Sequence, residues 1–283
     1  MKRVKCILCL MLCLIATPIF AESVTVEFEN DLLYHTDKMY THGTRITYEY
    51  NSLNWSLGQN VYTPTDISSD IPITNDRPYA GTLYVSLGGT KYNVLDMKDV
   101  FYQLEIAVGV VGKYSYANST QNLIHRLTDS APPNGWDYQT DNNLLIQTHF
   151  KFYGRMLSTT YISCGFYVFN DVGTVIADVG LGGNIMIGYN IPLILNKPIT
   201  SKYSNFSIYT FVDGLEKHVF YNTLLDSKYT DITTVKFVRD IRSGVGLQYK
   251  NIELRYSCCV KTKEFKEQED PVKFGSILFK FTY

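Results

Sequence analysis

His125 stands four residues after Gln121, and Gly135-Trp136-Asp137 follows a short way along the chain. Much earlier come Asn30-Asp31 and Tyr40-Thr41-His42-Gly43, and between the two groups lies Asp76-Arg77-Pro78-Tyr79-Ala80-Gly81. Histidine titrates near neutral pH, so an imidazole can take a proton from water. Carboxylate, amide and hydroxyl oxygens are the donors that a hard cation accepts. Arg77 carries a planar fork suited to phosphate. Each residue also has a bland reading. A lone histidine on a helix is most often a surface residue, and Asp76, Arg77 and Tyr79 can simply brace a loop.

The elements that must position these residues follow from hydrophobic periodicity. Residues 118–128 read as a short helix, with Asn118 as its cap and Gln121 three residues later. Leu123, Ile124 and Leu127 form one apolar stripe, while Gln121 and His125 share the opposite face. The apolar side can then meet lipid while His125 points at a rim. Elsewhere the period is two: Val24, Val26 and Phe28 alternate with Thr25, Glu27 and Glu29, and Ile277, Phe279, Phe281 and Tyr283 with Ser276, Leu278, Lys280 and Thr282. Strands are expected at 22–30, 41–51, 53–62, 80–93, 100–112, 140–154, 158–169, 178–190, 205–215, 233–248, 251–263 and 272–283.

Twelve alternating strands ending on an aromatic residue predict an all-β fold, a twelve-stranded antiparallel transmembrane β-barrel with a short helix in an extracellular loop. The connections after odd strands are long and face outward, and every chemical-looking motif falls among them. The connections after even strands are short, the stretch 191–204 excepted. No linker or repeat divides residues 22–283.

Lys2, Arg3 and Lys5 precede an apolar run from Cys6 to Phe20 and then Ala21, the pattern of a cleaved signal peptide over residues 1–21. That run is too short to span as a helix. Removing the leader leaves 23 basic and 27 acidic residues, a net charge of −4, so nothing favours nucleic acid. Aromatics make up 14% of the chain, which fits the interfacial girdles of a barrel. Cys164, Cys258 and Cys259 remain, an odd number with an adjacent pair, which is no disulfide framework.

Asn30-Asp31, the run from Thr36 to Gly43, Arg77 to Gly81, Gln121-x-x-x-His125 and Gly135-Trp136-Asp137 together resemble the LpxR family of lipid A 3′-O-deacylases. The motifs cover about the first half of the chain beyond the leader; the second half resembles the family only as barrel. The resemblance implies an outer-membrane hydrolase acting on lipid A, or lipopolysaccharide, among outer-membrane lipids. It implies Ca²⁺ and a His-activated water, in the manner of secreted phospholipases A2. Carried onto this sequence, His125 is the general base, and Gln121 positions it or the substrate. Asn30, Asp31 and Thr41 form the rim half, and Asp31 is the best candidate metal ligand. Asp129 and Asp137 are candidates for a second carboxylate. Arg77 and Tyr79 are candidate substrate contacts, Arg77 at a lipid A phosphate. Trp136 and Tyr138 read as interfacial aromatics, and His35, His42, His149 and His218 have no assigned role. A monomer is expected.

Two other readings compete. A barrel phospholipase with a Ser nucleophile needs a Ser–His pair, for which Ser115 and Ser119 are the nearby serines. A porin or adhesin explains the strands equally well but not the polar cluster on one rim.

Overall fold

A computed structural model describes residues 22–31, 38–92, 94, 97, 99–192 and 206–283. The expected signal peptide, His35, the Thr36-Asp37 start of one motif and most of the 191–204 connection lie outside the described residues.

Twelve antiparallel strands close into one barrel, each paired with its sequence neighbours and β1 with β12. They are β1 (Ser23–Asn30), β2 (Met39–Tyr50), β3 (Leu53–Thr63), β4 (Ala80–Tyr92), β5 (Val100–Val111) and β6 (Asn143–Ser158). Then follow β7 (Ile162–Gly173), β8 (Ile176–Tyr189), β9 (Phe206–Asn222), β10 (Phe237–Tyr249), β11 (Ile252–Lys261) and β12 (Val272–Thr282). One α-helix, α1 (Ala117–Thr128), lies in the β5–β6 connection.

Alternation separates two environments. Trp55, Leu57, Val85, Leu87, Ile106, Val108, Leu181, Ile241 and Leu254 are exposed around the outer wall, as a lipid-facing band requires. Glu27, Glu29, Glu49 and Glu105 turn inward, where Arg242 meets Glu27 and Glu29 at 3.2 and 2.6 Å, Lys280 meets Glu49 at 2.6 Å and Arg45 meets Glu105 at 2.6 Å. These pairs line a polar lumen that holds a cavity of about 450 Å³. Among the described residues no helix is long and apolar enough to cross a membrane.

Several boundaries differ from expectation at the strand ends. β6 runs on through Ser158, so Arg155 pairs with Gly165 and bonds Asp99 rather than sitting in a turn; the turn is at 159–161. β9 extends to Asn222, and only residues 174–175 remain between β7 and β8. Cross-strand ion pairs hold these extensions: Lys217 with Asp178 at 2.9 Å and Arg239 with Glu216 at 3.1 Å.

At the long-loop end, Val235 donates its backbone N–H to Glu264 and Lys266 to Thr233, both at 2.8 Å, zipping the β9–β10 and β11–β12 loops together. Leu225 and fully buried Phe265 from these loops pack with Tyr40, Cys259 and Phe274, residues that line the lumen. The mouth is thereby covered. Cys164, Cys258 and Cys259 are free thiols.

Candidate active site

The site begins with an irregularity in β2. Asn30 pairs with His42, and Phe28 with Thr44, placing all four on the outer wall. Strict alternation would put Tyr40 on that wall too. Instead the β2–β3 register shifts between Tyr40 and His42, leaving Thr41 as an extra residue. Tyr40 therefore turns into the lumen, donating to Glu29 at 2.7 Å, while His42 stays outside. Such bulges re-aim side chains at rims and active sites. The Asn30 amide donates to the Thr41 carbonyl at 2.8 Å, and the Thr41 and Thr63 hydroxyls lie 2.6 Å apart. Asp31 directly follows Asn30 and accepts from the Lys38 backbone N–H at 2.6 Å.

The second half comes from α1, which packs against β3 and β4 rather than over the lumen. Gly81 permits the approach, since a Cβ there would lie 2.3 Å from both Ser115 Oγ and Ala117 Cβ. The helix begins after Tyr116 in left-handed conformation, without a side-chain cap. Asn118 is thus not the cap; its side-chain oxygen accepts from Asn122 instead. Asp129, also left-handed, ends the helix, and the chain doubles back so that the Ala131 carbonyl meets His125 Nδ1. Leu123 and Leu127 are half exposed on the outward side, while Gln121 and His125 are buried against the wall.

Asn30, Asp31, Thr41, His42, Gln121, Ile124, His125, Thr128 and Ser130 enclose a cavity of about 10 Å³, room for about one water. All five expected catalytic positions meet here. Asp31 supplies the carboxylate; neither Asp129 nor Asp137 lines the cavity. No cluster of three or more His, Cys, Asp or Glu suited to a metal occurs among the described residues. The available donors are nonetheless hard oxygens. His125 Nδ1 faces a carbonyl, which can only accept, so Nδ1 carries the proton and Nε2 the lone pair.

Residues 6–283 match the family described as outer membrane protein LpxR. The chain belongs to the LpxR family. LpxR from Salmonella typhimurium has the same fold, with 18% identity and a TM-score of 0.80 over 92% of this chain and all of that one. The KdgM porin and the NanC porin each align with a TM-score of only 0.40, at 9% and 8% identity, over 92% of this chain and 99% and 98% of theirs. No curated protein matches by sequence. The barrel is accordingly an outer-membrane protein of a lipid A deacylase family.

Other LpxR-like positions fall elsewhere. Arg77 is 1% exposed and covers the Tyr62 ring at 4.5 Å, with Glu264 at 3.5 Å. It faces the covered lumen mouth, not a surface where a lipid phosphate can reach it. Asp76 is buried too, accepting from the Thr65 and Arg77 backbone N–H groups at 2.6 and 2.7 Å. Tyr79 lies under α1, its ring 4.8 Å from that of Trp136, with Gly135 leaving room for it. Trp136 is no interfacial aromatic: it is buried and donates to Gln121 Oε1 at 2.8 Å. Tyr138 packs edge-on against Tyr229. Ser115 is buried and donates to the Gly112 carbonyl at 2.6 Å, and Ser119 is exposed, so neither is placed as a nucleophile at His125. His42 was missed; its pairing opposite Asn30 is the signal that would have found it.

Proposed function

We propose that the chain is a lipid A 3′-O-deacylase, hydrolysing the ester-linked 3′ acyl or acyloxyacyl chain in the outer leaflet. The observation that carries this reading is the position of the pocket. It lies on the outer wall, under a helix whose Leu123 and Leu127 face outward, so an ester can arrive from the lipid side.

His125 Nε2 takes a proton from water as the water oxygen bonds to the ester carbonyl carbon and the carbonyl π pair moves to its oxygen. Collapse re-forms the carbonyl and breaks the bond to the sugar oxygen, which takes the proton back from the imidazolium. Ester and water thus become a fatty acid and a free hydroxyl. The Ala131 carbonyl holds the ring in the required tautomer.

The oxygens of Asp31, Thr41 and Asn30 suit a hard cation, with backbone carbonyls, water and substrate completing a shell of six or more. Asp31 is the residue that would hold Ca²⁺. Calcium, when bound, supplies positive charge beside the developing oxyanion.

The test is acyl release from purified lipid A by the detergent-folded protein, with Ca²⁺ or with excess chelator, read by mass spectrometry of the remaining lipid. Loss of the 3′ chain that stops on chelation is expected. An intact lipid A under both conditions would overturn the reading.

A further inference from the structure

Trp136 Nε1 donates to Gln121 Oε1 at 2.8 Å, and both residues are buried. An indole offers a donor and no acceptor. The amide of Gln121 therefore has one orientation that satisfies the pair, with Oε1 on the indole and Nε2 turned away from it. Gln121 also lines the pocket shared by Asn30, Asp31, Thr41 and His125.

The indole is itself held. Its ring packs 4.8 Å from that of Tyr79, whose hydroxyl donates to the Ile67 carbonyl at 3.1 Å. The adjacent loop is tied by Asn134, which donates its backbone N–H to Ile67 and its amide to Ser68, both at 2.9 Å. Tyr79, Val61 and Ala117 close an apolar cluster around Trp136.

We propose that Trp136 is a positioning residue: it sets the Gln121 amide so that the Nε2 hydrogens, not the oxygen, face the reacting ester. Gln121 then donates to the carbonyl oxygen as it gains charge. A free amide flips between its two orientations, and half of them would turn an oxygen towards a developing oxyanion. This role rests on the hydrolase reading above.

Trp136→Phe keeps an aromatic ring against Tyr79 and removes only the N–H. It is expected to lower kcat about tenfold while KM changes less than about threefold. Gln121→Met, which removes the donor, should lower kcat by about 10²-fold. Because both act through one amide, the double variant should be no slower than Gln121→Met alone. Heat-modifiable gel mobility checks that each barrel is folded.

A second readout needs no turnover. The chain has two tryptophans, so Trp55→Phe leaves Trp136 as the sole indole. Its N–H hydrogen bond, followed by ultraviolet resonance Raman, should weaken on Gln121→Met. An unchanged kcat in folded Trp136→Phe, full activity in Gln121→Met, or an indole band indifferent to Gln121→Met would each overturn the inference. An inactive wild-type protein whose band does respond would overturn the hydrolase reading, and the catalytic role with it, while leaving the hydrogen bond established.

Discussion

His125 Nδ1 donates to the carbonyl oxygen of Ala131, six residues ahead, across the turn that left-handed Asp129 makes possible. A backbone acceptor, rather than a carboxylate, thus sets the tautomer of the proposed base. His125→Ala should abolish acyl release, a loss of roughly 10²–10⁴-fold for removal of a general base, while the barrel remains folded and heat-modifiable in gels. Near-normal turnover in that variant would remove His125 from the mechanism.

Among the described residues, Asp31 is the single carboxylate lining the pocket. Asp31→Asn should raise the Ca²⁺ concentration needed for half-maximal activity, because one anionic oxygen is lost. A titration identical to that of the wild type would place the ion elsewhere.

Gly81 lets α1 approach the wall. Gly81→Ala is expected to displace the start of the helix and cut activity about tenfold or more, since small misplacements of reacting groups are costly. The thermal midpoint of the barrel should change little. Full activity would mean that the helix adjusts without moving His125.

Burial alone would raise the Glu264 carboxyl, but Lys261 and Arg77 beside it hold it below the usual carboxylate range. A group depressed in the folded state stabilises that state above its unfolded pKa, about 4.3 for glutamate, and loses this contribution as pH falls through the lower folded value. The amides of the β11–β12 loop should therefore show higher protection factors, relative to intrinsic exchange at the same pH, at neutral pH than in acid. Glu264→Gln should flatten that dependence; the same acid profile in both proteins would argue against it.

Topology is tested by single cysteines in a background lacking Cys164, Cys258 and Cys259. Ser119→Cys and Asn134→Cys, exposed at the long-loop end, should react with an impermeant thiol reagent on intact cells. Thr160→Cys, in the short turn between β6 and β7, should react only after the outer membrane is breached. The reverse pattern would put the pocket out of reach of outer-leaflet lipid A.

Much of this was legible because a period of two records which residues share a face. Glu27 and Glu29 turned out lumenal for that reason, and the helical spacing of Leu123 and Leu127 put both outward. The motifs also named Asn30, Asp31, Thr41, Gln121 and His125, which the fold brings together. Other features depend on information that periodicity does not hold. One unpaired residue at Thr41 reverses the parity of β2, so alternation puts Tyr40 on the wrong face. Trp136 and Gln121 meet only once the 129–142 segment has folded back, and the lumenward turn of Arg77 depends on Glu264 in a distant loop.

The extra residue at Thr41 also sets how such a site can be acquired or moved. An ordinary barrel strand presents polar groups to its interior, where a hydrolase acting on membrane lipid could not use them. Grafting histidine, asparagine and threonine onto a regular strand would leave the phase of its edge unchanged. A single inserted codon shifts that phase for everything beyond it. Removing Thr41 should leave Tyr40 in the lumen and His42 on the outer wall as regular alternating neighbours, and take away, through a change of length alone, the extra residue that the pocket uses.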